Sequence, residues 1–269
     1  MTIELSLHTA PDVPLEADLI SPDNFLSLSK TEIEKQLVEH GNQKASIGDF
    51  FNVSGEKSDH LILEGDLSKI KHIGSTMSMG KICIKGDAGA HLGATMSGGE
   101  ILVEGDVADW LAPEMVGGRV EVRGNAGHMV GSAYRGSPAG ILGGEIIIHG
   151  NAKNEVGHAM RNGMIVVGGN SGDFTGVNML AGTIIVLGEL GIRTGAGLRR
   201  GSVVSMNNSK LLPTFRYSCL YQPTYLRLYL IYLQSLGLPI SDDQIVGQYQ
   251  RWCGDLIEVN RGEILLYDT

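Results

Sequence analysis

A chain of 269 residues with 38 glycines, 8 prolines and 3 cysteines has room for one large domain or two ordinary ones, and no need of disulfides. Its formal net charge of -9 argues against a nucleic-acid backbone as a main partner, and only 19% of its residues are charged. It starts Met1-Thr2-Ile3-Glu4-Leu5, without the basic and apolar regions of a signal peptide, and no stretch reaches the about eighteen apolar residues of a membrane span; a cytoplasmic protein that binds no membrane is expected.

Residues 1–50 read as an N-terminal extension, a strand followed by a capped helix. Ser29 with Glu32 makes a capping box, Leu28 with Ile33 a hydrophobic staple, and Gly41 a stop.

From residue 51 to 210 a single pattern takes over. The segment x-φ-x-φ-x-Gly-Asp/Asn, with φ apolar, recurs as His60 to Asp66, Lys81 to Asp87, Glu100 to Asp106 and Arg119 to Asn125. It continues through Glu145 to Asn151, Met164 to Asn170, Thr183 to Glu189 and a degenerate Ser202 to Asn208. The key positions 65, 86, 105, 124, 150, 169, 188 and 207 are separated by 21, 19, 19, 26, 19, 19 and 19 residues. A second glycine column, Gly80, Gly99, Gly118, Gly144, Gly163, Gly182 and Gly201, keeps the same register just ahead of each segment.

Apolar residues alternating at period two describe strands, and glycines this dense forbid helices. One such coil cannot bury its own apolar face, so equivalent positions must stack about 4.8 Å apart. The fold class expected is all-β: a right-handed parallel β-helix, a single-stranded solenoid of 19-residue coils with a GXGXG repeat, and short helical extensions at both ends. Its inward columns are Leu61, Ile82, Ile101, Val120, Ile146, Ile165, Ile184, Val203 and Leu63, Ile84, Val103, Val122, Ile148, Val167, Val186, Ser205. A third, Met77, Met96, Met115, Ile141, Met160, Met179, Leu198, reads as core filling by an adaptable thioether rather than as a soft-metal site. The glycines are expected to serve positive φ or close backbone approach, with Asp or Asn capping the turns.

The one long step is a seven-residue insertion within Gly131 to Gly140, expected to form a surface loop. The residues that should face outward, Ile62, Cys83, Leu102, Glu121, Ile147, Val166, Ile185 and Val204, are apolar in seven of eight cases, so something must cover that wall. Residues 211–269 form a C-terminal extension of a helix plus terminal strands. Its apolar helical run at 223–236, stopped by Gly237 and Pro239, is one candidate cover and another subunit is the alternative. Trp110 and Tyr134, in loops, point to a partner interface elsewhere.

Chemistry is scarce. Gly74-Ser-Thr-Met-Ser-Met-Gly80-Lys81-Ile82 has one residue too many for a P-loop and Ile82 where Ser or Thr must stand, and Gly195-Ala-Gly197-Leu-Arg-Arg-Gly201 has the wrong spacing for a dinucleotide fingerprint. The eight histidines form no HxH or HxxxH pair, and His91, His128, His149 and His158 stand at different offsets from their key glycines, so no metal column is expected. No catalytic residue is assigned. Arg193, Arg199 and Arg200 share one coil and Arg135 stands in the insertion beside Tyr134; together they are candidate holders of carboxylates, with plain salt bridging to an acidic body as the bland alternative.

The octet Gly86-Asp-Ala-Gly-Ala-His-Leu-Gly93, the insertion Ala133-Tyr-Arg-Gly-Ser137, the coil Gly191-Ile-Arg-Thr-Gly-Ala-Gly-Leu-Arg-Arg-Gly201 and the tail Trp252-Cys-Gly-Asp-Leu-Ile-Glu-Val-Asn-Arg-Gly-Glu-Ile264 resemble the C subunit of formylmethanofuran dehydrogenase, from Ile47-Gly-Asp-Phe50 onward. That family shares its β-helix with the C-terminal domain of the glutamate synthase large subunit.

The resemblance implies a non-catalytic scaffold in a hetero-oligomer with a hydrolase, a formyltransferase and a further subunit. In the bacterial version formyl passes between tetrahydromethanopterin and methylofuran and leaves as formate, with zinc in the hydrolase subunit. In the archaeal version carbon dioxide is reduced onto methanofuran at a molybdenum or tungsten pterin. The modest charged fraction leans towards the bacterial one. Arg135, Arg193, Arg199 and Arg200 would then meet the carrier's anionic tail. A hexapeptide-repeat acyltransferase, the more distant alternative, needs eighteen residues per coil and this chain keeps nineteen.

Overall fold

The computed structural model describes residues 2–268. The chain runs β1 (Ile3–Leu7), β2 (Leu15–Glu16), α1 (Pro22–Phe25), α2 (Lys30–Glu34), β3 (Leu37–His40), β4 (Gln43–Ser46) and β5 (Phe51–Ser54). The repeat region follows as β6 (His60–Glu64), β7 (Ile70–Lys71), β8 (Lys81–Lys85), β9 (Glu100–Val103), β10 (Arg119–Val122), β11 (Glu145–Ile148), β12 (Met164–Val167), β13 (Thr183–Val186) and β14 (Arg200–Ser205). Last come β15 (Arg216–Tyr221), α3 (Thr224–Ser235), α4 (Asp242–Val246), β16 (Tyr249–Gly254) and β17 (Arg261–Tyr267).

The protein is mostly β, dominated by a 13-stranded, mainly parallel sheet of order β15-β16-β17-β14-β13-β12-β11-β10-β9-β8-β6-β1-β5. Each repeat strand pairs in parallel with its successor in the predicted register, as Ile82 with Ile101 and Val120 with Ile146. Three further tracks tie each repeat to the next. One is a single bridge per repeat, from Leu67–Ala88 to Ser171–Leu190. A second runs through Gly93 N–H to Ile73 and Gly131 N–H to Leu111, and a third through Val116 N–H to Met96 and Leu180 N–H to Met160. Bonding on several sides of every repeat makes the architecture β-helix-like. β1 extends the stack at one end and β17 at the other, each pairing in parallel with the nearest repeat strand.

The interior columns are filled as read. Leu61 through Val203, Leu63 through Ser205 and the methionine ladder are all 0% or 1% exposed. Both glycine columns serve close approach, and the second takes positive φ throughout as well. Gly118 takes φ +92° and a Cβ there would meet the Gly99 carbonyl oxygen at 2.7 Å. Gly105 has no positive φ, but a Cβ would stand 2.6 Å from the Gly86 oxygen, so close approach alone demands glycine.

Three expectations need correction. Of the Asp and Asn side chains after the key glycines, Asp66 caps its own turn, accepting from Ser68 N–H at 3.0 Å, but from Asp87 onward they cap the next repeat instead: Asp87 accepts from Asp106 N–H at 2.7 Å, Asp106 from Asn125 at 2.7 Å and Asn151 from Asn170 at 2.8 Å. α2 has its capping box but ends at Glu34, and Gly41 (φ +63°) turns the β3–β4 hairpin instead, because Leu15 and Glu16 of β2 offer β3 a strand to pair with. The outward wall is covered along only part of its length. Trp110 and Tyr134, the loop residues read as pointing to a partner interface, pack against each other and stay partly exposed.

The cover over that part is α3. Leu226, Leu230 and Leu233 bury against Ile147, Val166, Ile185 and Val204, while Tyr232 donates to Glu145 at 2.8 Å. Ile62, Cys83 and Leu102 have no such cover and remain half-exposed. Between the two stretches sits Glu121, 8% exposed, held by Arg119, by Arg123 at 2.9 Å and by His149 at 2.9 Å. Burial pushes its carboxyl pKa up, but the His149 bond and the arginine charges outweigh that and hold it low. Among the described residues no helix is long and apolar enough to cross a membrane.

Candidate functional site

One corner of the stack carries a chemistry that position-by-position reading missed. At this corner one non-glycine residue of each repeat takes left-handed backbone: His72, His91, Trp110, Met129, Glu155, Phe174 and Arg193, with φ between +60° and +64°. Each costs on the order of 1 kcal/mol, and the conformation aims the side chain outward, one above the next. The rings accordingly stack: His72 on His91 at 4.6 Å and 8°, His91 on Trp110 at 5.9 Å and 15°.

The inserted loop completes this ladder. Ile141 N–H returns to the Gly131 oxygen at 2.9 Å, which closes the loop over the repeats before it. Tyr134 stacks on Trp110 at 4.9 Å, its hydroxyl bonds Nδ1 of His91 at 2.8 Å, and its N–H donates to Glu114 at 3.0 Å. Burial pushes the Tyr134 hydroxyl up to about 12, with Glu114 adding to it. His91 is held below its ordinary value by burial, then by His72 and Lys71. At the far end Nε2 of His72 meets Glu16 at 3.1 Å. The signal was available: residues 72, 91 and 110 are 19 apart.

The four arginines do not converge. Arg135 is exposed on the loop beside Tyr134, alongside the Trp110 repeat, whereas Arg193 lies four repeats further on, roughly 19 Å at 4.8 Å per repeat. Arg193 sits over the Phe174 ring at 5.1 Å and Arg199 bonds Glu258 at 3.1 Å. Arg200 is exposed and stands in register with Arg261 on β17.

No family model matches the chain. The C subunit of tungsten-containing formylmethanofuran dehydrogenase 2 from Methanothermobacter thermautotrophicus is 42% identical over 90 residues, 32% of this chain and 33% of that protein. The C subunit of the formyltransferase/hydrolase complex Fhc from Methylorubrum extorquens is 33% identical over 86 residues, 31% of this chain and 32% of the relative. A chain in the crystal structure of the formyltransferase/hydrolase complex (FhcABCD) from the same organism, in complex with methylofuran, superposes with TM-score 0.92 at 31% identity, covering 99% of this chain and 100% of that one. The chain belongs to the C-subunit family of these complexes.

The aligned sequence spans about a third of each of the two relatives, while the structural match spans the whole fold. The end strands and the α3 cover therefore lie within the stretch that this C subunit shares with its solved relative. The ladder runs through the octet 86–93 and the insertion 133–137, two of the segments that carried the family resemblance.

Proposed function

We propose that the chain is the scaffold subunit of a formyltransferase/hydrolase complex of one-carbon metabolism. In this reading it carries no active site of its own and holds a hydrolase, a formyltransferase and a further subunit at fixed separation. Formyl then passes from tetrahydromethanopterin to methylofuran and is released as formate, with zinc in the hydrolase subunit. The observation that carries the reading is the full-length superposition on a chain of a complex crystallised with methylofuran. The filled interior supports it, because three fully buried ladders leave the coils no space for a substrate.

Mechanically, the reading takes the repeats as one right-handed solenoid, a rod whose length is set by the repeat count and which resists bending through its several bonded tracks. The arginines Arg135, Arg193, Arg199 and Arg200 are proposed contacts for the carrier's anionic tail. Arg135 and Arg193 lie far enough apart to touch different parts of an extended chain.

A second reading, the C subunit of a molybdenum or tungsten formylmethanofuran dehydrogenase, is favoured by the higher identity to the tungsten enzyme's subunit. Affinity purification of the tagged chain from its source separates the two. Hydrolase and formyltransferase chains with formyl-transfer activity are expected, a pterin-bearing dehydrogenase chain would establish the second reading, and a chain that purifies alone would end both.

A further inference from the structure

We propose that the uncovered half of the outward wall and the outer face of α3 bind each other between two copies of this chain, in a two-fold dimer. Both faces are apolar, and neither is covered within the chain. On the wall Ile62, Cys83 and Leu102 are half-exposed. On α3 the side turned away from Leu226, Leu230 and Leu233 carries Leu228, 72% exposed, and Ile231, 45% exposed, where a solvated amphipathic helix places polar groups.

The two faces form a step. Tyr225 bonds Ser202 of β14 at 3.2 Å and Tyr232 bonds Glu145 of β11 at 2.8 Å, so α3 lies along the stack and runs from the late repeats towards the early ones. It stands about 10 Å proud of the strands, one helix diameter, and its last turn is level with Glu145, one strand from Glu121. Beyond that edge the wall drops back to bare strands, and a groove of about 260 Å³ opens over Leu102 between Lys81, Glu100, Arg119 and Arg123.

The lengths match. α3 has 12 residues, about 18 Å, and the strands from β1 through β6, β8 and β9 to the boundary strand β10 span about 19 Å. A half-turn about an axis parallel to the strands and above Glu121 therefore sets the α3 of each copy into the recess of the other. A two-fold contact needs a surface complementary to itself, and a step whose raised and recessed halves are equally long is such a surface.

Charge fits as well, because the same half-turn keeps each flank of α3 on its own side of the strands. Tyr225 and Tyr232 hold the flank towards the strand starts, so Arg227 on the opposite flank comes over the strand ends, where Glu64 and Glu104 stand. Arg227 and Glu104 are both exposed, and neither has an ion pair among the described residues. The contact occurs twice but uses one short helix each time, so a reversible, concentration-dependent dimer is expected rather than a permanent one. The pairing goes beyond the scaffold reading and stands without it, since neither face needs a sister chain.

The test is sedimentation equilibrium of the full-length chain over a range of concentrations, with circular dichroism to check folding. A monomer–dimer equilibrium is expected, weakened about tenfold or more by Leu228→Glu or by Leu102→Glu and unchanged by Lys44→Ala in the other sheet. An equimolar mixture of the two Glu variants should associate more tightly than either alone, because the mixed pair keeps one contact with both faces intact. Leu228 is exposed enough for its variant to fold, which keeps the test decisive if Leu102→Glu does not. A monomer at every concentration overturns the proposal. So does loss of the dimer in only one of two folded variants, which would mean a face that pairs with itself. In a source carrying two differently tagged copies, both tags should co-purify, and Leu228→Glu should separate them while sister chains stay bound. Sister chains lost instead would make α3 their seat and overturn the pairing.

Discussion

The outward wall is one column of side chains with two fates. From Ile147 through Val166, Ile185 and Val204 to Leu265 every residue is 0% exposed beneath α3 or the terminal strands, whereas Ile62, Cys83 and Leu102 are only half-buried. The strands beneath are alike in length, register and pattern. Glu121 marks the boundary, and Glu4, opposite Ile62, closes the open stretch at its other end. Apolar alternation thus states that a surface wants covering, and the reach of one C-terminal helix decides how much of it is covered.

The largest expected effect tests what the halves share. Gly105→Val forces a side chain into the Gly86 backbone and should leave no folded protein by circular dichroism and gel filtration. A folded, monodisperse variant would remove the stacked-repeat argument for both halves.

Next comes the difference itself. Leu230→Ala, on the face of α3 that covers the wall, should cost about 2–5 kcal/mol in denaturant unfolding, and Leu102→Ala in the open half less than about 1 kcal/mol. Equal losses would show the two stretches to be alike. At the boundary, Glu121→Ala should cost about 1–3 kcal/mol, since Arg119, Arg123 and His149 lose their shared acceptor. An unchanged denaturation midpoint would make Glu121 a spectator.

The smallest effect concerns the aromatic corner. His91 is held below its ordinary 6.5 by burial, His72 and Lys71, against smaller opposing pulls from Glu16 and Asp109. The unfolded chain therefore binds more protons as pH drops below that value, so the folded state loses stability on acidification and keeps it above neutrality. Thermal unfolding at pH 7.5 and pH 5.5, with His91→Gln beside the wild type, should show a smaller drop in the variant, on the order of 1 kcal/mol or less. Tyr134→Phe should cost about 1 kcal/mol at pH 7.5, since the hydroxyl bond to Nδ1 is gone.

Much of this was legible in the residues. Register, inward columns, the methionine ladder, the loop at 131–140 and the helix at 223–236 all follow from spacing, because a stacked repeat turns sequence distance directly into position. The extra pair in the first step, 21 instead of 19, also resolves: it lies between Leu67 and Ile73, where β7 bulges out to pair with β2. What escaped depended on comparing the same offset across repeats for residues that look unrelated. His72, His91 and Trp110 share a corner at the 19-residue spacing, and their common left-handed backbone and stacked rings show them as one column. Arg261 escaped for another reason: it belongs to no repeat and reaches Arg200 only because β17 adds itself to the stack.

By itself the sequence determined the repeat, its register and which side chains line the interior, since period-two apolarity and glycine spacing act locally and recur. Tertiary structure alone decided how far α3 reaches along the wall, that Tyr134 folds back onto His91, and that β17 sets Arg261 beside Arg200. Those are meetings between distant segments, governed by loop paths and docking of the chain ends, and no local pattern encodes them.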